Sequence, residues 1–188
     1  VETNSVDVGV SLRQIKTPED ASRGLTPGEI EMARVLFQDA VDYSKVKVHN
    51  GEYLWFGLQD DDTAITPNGE LYFNPKHFKE DFSTASFVDM LWFMHEMVHV
   101  WQYQLGYFVR LRGAIRIGLS YAYKLSPEKV LSDYNMEAQG NLLSDYWALK
   151  AFQQPPSMWE MQYKNEIGLY EKVLAKFISN PKDEGNLP

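Results

Sequence analysis

The sequence contains no cysteine. That excludes a disulfide framework, a thiolate nucleophile and any cysteine-bound metal, so a metal here must be held by His, Asp and Glu. It leaves the compartment open, because a cysteine-free domain folds equally well in a reducing cytosol and an oxidising periplasm. Basic residues are in deficit: 18 Lys and Arg against 26 Asp and Glu give a formal net charge of -8 and a sequence pI near 5.0. Nucleic acid and anionic membrane surfaces would repel such a chain, and neither is expected as a partner. There is no recognisable signal peptide and no apolar run long enough to span a bilayer, so membrane insertion is not expected. Repeats and low-complexity tracts are also missing. The first residue is Val1, which suggests a piece cut from a longer chain.

What is present supports one well-packed domain: 188 residues, 44% hydrophobic and 14% aromatic. Residues 1–24 are polar and aperiodic and read as a linker or lead-in. Thr26-Pro27-Gly28-Glu29 announces a helix with a capping residue, a proline at the first helical position and a glutamate three after the cap; it should run to about Tyr43. From Val46 to Phe73 the period shortens. Val46 and Val48 alternate with lysine, Tyr53 to Leu58 is a short aromatic run, and a turn at Pro67-Asn68-Gly69 leads into Leu71-Tyr72-Phe73. Asp60, Asp61 and Asp62 lack EF-hand spacing and read as a solvated turn.

Residues 83–106, STASFVDMLWFMHEMVHVWQYQLG, carry the strongest signal. Phe87, Leu91, Met94, Val98, Trp101 and Leu105 recur at threes and fours, Ser86 can cap with Asp89 three residues on, and Gly106 is a natural stop. Phe93, Met97 and Val100 add apolar surface elsewhere, so this helix should be wrapped nearly all round. Beyond it, in Tyr107 to Leu119, apolar residues alternate with Arg110, Arg112 and Arg116 as in a strand or hairpin bent at Gly113, with a helix as the alternative, the arginines a solvated face or a grip for substrate carboxylates. Ser126-Pro127-Glu128 starts a short helical stretch, a longer helix should run from near Asp133 to about Phe152, and Ser157 with Glu160 caps a last one striped by Trp159, Tyr163, Ile167, Tyr170, Leu174 and Phe177. The expected class is therefore α+β: a mainly helical domain over residues 25–180 with a small antiparallel sheet, followed by a loose tail over 181–188.

Within the central helix stands HEMVH, the HExxH pattern. His95 and His99 share one face a turn apart, with Cβ atoms roughly 5–6 Å apart, close enough to hold one ion. Glu96 lies about 100° further round, so it can reach a metal-activated water without being a ligand. A catalytic zinc needs a third protein ligand. Glu137, 38 residues after His99 and set among residues patterned for the interior, is the choice. Asp133, Asp145 and Glu128 are its rivals, and His49 or His77 would make a three-histidine site instead. An ordinary first-turn glutamate facing solvent is the bland alternative for Glu137. Asn141 and Gln102 are placed to hold ligands from behind. With one Zn2+ ion and Glu96 as base, the reaction is amide hydrolysis. Tyr134, Tyr121, Tyr103 and His77 are possible donors to the developing oxyanion.

HExxH followed by a glutamate on a later helix resembles the gluzincin branch of the zincin metallopeptidases. The resemblance implies a zinc helix and a glutamate helix facing each other beside a small sheet, with Leu71-Tyr72-Phe73 as the edge strand lining the cleft. The family usually has an acidic or polar supporting residue after the ligand glutamate, and here the spacing offers neutral Asn141. More narrowly, the run from LTPGEIEMARVLF through AITPNGELYFNP to HEMVHVWQYQLG is similar to the C-terminal metallopeptidase effector domain of type VI secretion spike proteins of the VgrG kind, over roughly residues 25–153. This implies a toxin domain cut from its spike protein, secreted into the periplasm of a target bacterium, acting on a protein or peptide substrate and neutralised in the producer by a cognate immunity protein. Two other readings stay open: a zinc amidase acting on peptidoglycan stem peptides, and a non-catalytic domain whose HExxH merely holds metal or packs.

Overall fold

A computed structural model of the protein describes residues 15–53, 64–109 and 119–188. Among these residues the elements run β1 (Ser22–Gly24), α1 (Pro27–Phe37), β2 (Lys47–Asn50), β3 (Ala64–Ile65), β4 (Leu71–Phe73), α2 (Phe87–Gln104), α3 (Met136–Ala151), α4 (Ile167–Val173) and α5 (Ala175–Ser179), with short 3-10 turns between them. The class is α+β, as expected. The aspartates at 60–62, the arginines at 110, 112 and 116, and most of the aromatic run from Tyr53 lie outside the described residues.

The sheet is mixed, not antiparallel throughout. Its order is β1-β2-β4-β3, with β1 antiparallel to β2, β4 parallel to β2, and β3 antiparallel to β4. The reason is the hairpin from β3 through Pro67-Asn68-Gly69: it lays β4 between β3 and β2, running in the direction of β2. Leu71–Phe73 is consequently an interior strand, and the edge on that side is Ala64–Ile65. Residues 22–24, read as the end of the lead-in, join the opposite edge through backbone pairing with residues 47–49, which side-chain periodicity does not announce.

Helix α1 begins as expected. Thr26 Oγ1 accepts a hydrogen bond from the Glu29 amide, and the Glu29 carboxylate accepts one from the Thr26 amide. It ends at Phe37 and not near Tyr43, because the chain turns at Gln38 (φ 52°) and Asp42 caps a separate 3-10 turn at Tyr43–Lys45. Helix α2 starts on the Ser86 cap, and every residue from Phe93 to Gln102 is buried. Helix α3 starts on Asn135, whose side chain accepts from the amides of Glu137 and Ala138, and is buried from Met136 to Leu149. The two helices face each other, joined by His95–Asn141 and Gln102–Gln139 hydrogen bonds, and the site lies between them.

The last predicted helix is broken. Residues 161–163 form a 3-10 turn, followed by α4 and α5, since the amides of Trp159 and Glu160 donate to the Asp145 carboxylate and no Ser157 cap forms. Ser126-Pro127-Glu128 is a turn, with a 3-10 turn following at Leu131–Asp133. Nor is the tail loose. Residues 184–186 make a 3-10 turn, Trp101 Nε1 donates to the Pro181 carbonyl at 2.7 Å, and Asn186 is buried. Buried donors on α2 and α3 need acceptors, and the tail's carbonyls supply them.

Candidate metal centre

Helix α2 presents His95 and His99 towards α3, where Glu137 meets them. The two Nε2 atoms are 3.2 Å apart; Glu137 Oε1 lies 3.1 Å from His99 Nε2, and its Oε2 3.4 Å from His95 Nε2. These three residues form a group able to hold a metal ion. Glu137 is 1% exposed, His99 1% and His95 4%, so the solvent-facing alternative for Glu137 does not describe it. The rivals lie elsewhere among the described residues. Asp133 caps its own 3-10 turn, Glu128 contacts Ser126 on the surface, and Asp145 takes hydrogen bonds from Tyr123 and two amides. His49 pairs with Glu70 and stacks on Tyr72, and His77 lies against Trp92.

Each histidine is oriented from behind. Asn141 Nδ2 donates to the Tyr121 carbonyl at 3.0 Å, so its Oδ1 faces His95 Nδ1 at 2.8 Å. Gln102 Nε2 donates to the Met136 carbonyl at 3.2 Å and to Gln139 Oε1 at 3.0 Å, so its Oε1 faces His99 Nδ1 at 2.8 Å. Each neutral ring therefore carries its proton on Nδ1 and turns the Nε2 lone pair inward. Two lone pairs and a carboxylate converge, and the buried Oε1 of Glu137 has no hydrogen-bond donor. Such a set calls for a cation. Without a metal the cation is a proton. Burial alone would push His99 down, but the charge and hydrogen bond of Glu137, with the charge of Glu96 and the contact with Gln102, raise it to about 9. Burial would likewise raise Glu137, yet the two histidines hold it well below the usual carboxylate range. The donor set, three inward-facing atoms of the kind zinc prefers, fits a divalent metal.

Glu96 is buried beside this cluster but is not part of it. Thr66 Oγ1, just past the edge strand β3, donates to its Oε2 at 2.7 Å. Sequence reasoning missed Thr66, since its partner is 30 residues away; its place beside the Pro67-Asn68-Gly69 turn was the only signal. It also missed Gly140. A Cβ built there would sit 2.5 Å from His95 Cε1, so the ring rests on bare backbone of α3. On its other sides His95 meets Tyr121, with ring centroids 6.0 Å apart, and Trp159 at the same separation. Trp159 is pinned by its indole N–H to Ser144 Oγ and by its amide to Asp145. Burial pushes Asp145 up to about 6 despite the hydrogen bonds it accepts from Tyr123, Trp159 and Glu160. Of the four possible oxyanion donors, Tyr121 lies against the cluster residue His95; the Tyr134 hydroxyl is bonded to the Lys124 carbonyl and Tyr103 packs over Gly69.

The fold and site define an α+β domain with a buried two-histidine, one-carboxylate centre between facing helices. No family model matches the chain. It is 40% identical over 139 residues to the type VI secretion system spike protein VgrG2b of Pseudomonas aeruginosa, an alignment covering 70% of this chain and 13% of that protein. Among solved structures, the effector domain of Pseudomonas aeruginosa VgrG2b matches with a TM-score of 0.66 and 33% identity, covering 86% of each chain. The chain belongs to the family of VgrG-type type VI secretion effector domains typified by VgrG2b.

Proposed function

We propose that the domain is a zinc-dependent metallopeptidase, carried on a type VI secretion spike and active in the periplasm of a target bacterium. The observation that carries this reading is the division within HEMVH: His95 and His99 join Glu137 in the cluster, while Glu96 stays outside it with one oxygen held by Thr66. Bound there, a zinc ion supplies a Lewis acid for the substrate carbonyl and lowers the pKa of a water from 15.7 to about 7. Glu96 takes the water's proton and passes it to the leaving amine. The Thr66 hydroxyl holds Glu96 in line for that transfer, and Tyr121 is the donor best placed to steady the oxyanion. An extended peptide would lie along β3, the edge strand among the described residues, which ends one residue before Thr66. Delivery with the spike, supported by the likeness to the VgrG2b spike protein and its effector domain, and a cognate immunity protein in the producer belong to the same proposal.

A second reading draws on the enclosure of the site: His95, Glu96, His99 and Glu137 are each less than 5% exposed, as in a closed structural metal site. One set of measurements separates the two. Metal analysis by inductively coupled plasma mass spectrometry should find about one zinc in the wild type and in Glu96→Ala, and none in His99→Ala or Glu137→Ala. Periplasmic expression should be toxic for the wild type and harmless for Glu96→Ala. Equal toxicity of the two would end the peptidase reading and leave the closed site.

A further inference from the structure

We propose that Gln139 and the C-terminal 3-10 turn at 184–186 are positioning elements of the metal centre, acting on His99 through a directed chain of buried amides. The proposal rests on the reading of His95, His99 and Glu137 as metal ligands. The chain starts at two backbone carbonyls, those of Leu131 and Asn186, each 3.0 Å from Gln139 Nε2. Carbonyls only accept, so the NH2 of Gln139 must face them and its Oε1 must face the other way. That oxygen accepts from Gln102 Nε2 at 3.0 Å, which turns Gln102 Oε1 onto His99 Nδ1 at 2.8 Å. Direction is thus imposed at the tail and read at the ring: the proton is held on Nδ1 and the lone pair of Nε2 is left for the metal. Neither amide is in contact with solvent, so water does not replace a lost link.

The tail end of this chain is itself built. Asp183 Oδ1 accepts from the Gly185 amide at 2.8 Å, and Asn186 Nδ2 donates to the Asn180 carbonyl at 3.0 Å, which holds the Asn186 carbonyl over Gln139. The hydrogen bonds of the Gln139 side chain go to Gln102, Leu131 and Asn186 and not to the metal ligands or Glu96, so its influence on His99 passes through Gln102. The Met136 carbonyl gives Gln102 a second orienting contact, so loss of Gln139 should loosen His99 without freeing it.

The test is zinc affinity by competition with a chromophoric chelator, on the full chain, with folding of each variant checked by circular dichroism. Gln139→Met keeps the length of the side chain and removes its amide; it should weaken zinc binding about 10-fold, the low end for residues that orient a ligand. Asn186→Ala, remote from the ligands, should weaken it about 3-fold by releasing the turn, a lesser share of the same effect. Val46→Ala, a core truncation beside the sheet, serves as control and should lower the melting temperature with affinity unchanged. Unchanged affinity in Gln139→Met, with only its melting temperature lowered, would reduce the chain to a structural role and overturn the proposal. If the wild type binds no zinc, it is the reading of the ligands that fails instead.

Discussion

Thr66 bonds to Glu96 and Gly140 seats the His95 ring, and each gives a test. Thr66→Val keeps the shape of the side chain and removes the hydroxyl that holds Glu96. Zinc content should be unchanged and turnover should fall about 10-fold, or ~1.4 kcal/mol of transition-state stabilisation, measured as kcat/KM on any substrate found. Gly140→Ala improves helix propensity by about 1 kcal/mol. Its methyl group would nevertheless enter the space of the His95 ring. Overpacking of that kind costs about 1–3 kcal/mol, so the variant should gain no stability and should bind zinc more weakly in a chelator competition. Neither residue could be read from sequence. His95, Glu96 and His99 declare themselves by spacing on one helix, Gln102 by facing the way those histidines do, and Asn141 by standing one turn after Glu137, whereas Thr66 and Gly140 matter only through distant partners.

Helix α3 gathers most of what the centre needs. Glu137, Gln139, Gly140 and Asn141 follow one another there, and Ser144 and Asp145 pin Trp159 beside His95. Its start is legible in the sequence to within a few residues because the apolar positions repeat on the helical period; the cap itself is Asn135, two residues after the expected start at Asp133. Asn135→Ala should cost about 1 kcal/mol, lowering the melting temperature by about 2–4 °C for a domain of this size, as calorimetry would show. Because Glu137 sits in the first turn, zinc affinity should fall with it. The last helix was misread for a tertiary reason. Asp145 captures the amides that Ser157 was expected to cap, and a local window does not see a carboxylate 14 residues upstream. The strand order escaped for a similar reason, since nothing in Leu71-Tyr72-Phe73 distinguishes an interior strand from an edge one.

Across the whole molecule, the paired charges of the centre set a pH signature. In the metal-free protein His99 is raised from 6.5 to about 9, so its contribution to stability is complete below pH 6.5 and lost as pH rises through 9. Glu137 is depressed, so its contribution is present above 4.5 and lost as pH falls towards its lowered value. Asp145 runs the other way: raised from 3.8 to about 6, it helps most below 3.8 and ceases to help as pH rises through 6. Chelator-treated protein should therefore lose melting temperature between pH 6.5 and 9, and saturating zinc should remove that slope. Zinc binding near pH 7.5 should also release a proton from His99, which calorimetry in buffers of different ionisation enthalpy would detect.

Thr66, the HEMVH segment and Glu137 come from three stretches of chain, Thr66 standing 30 residues before Glu96 and Glu137 38 after His99. Gln139 adds a fourth through the Asn186 carbonyl. No local fragment contains a working centre, so metal capture and long-range folding are one kinetic event. A chain caught half-folded would be inert, and the refolding half-time read from zinc uptake should coincide with that read from burial of Trp101.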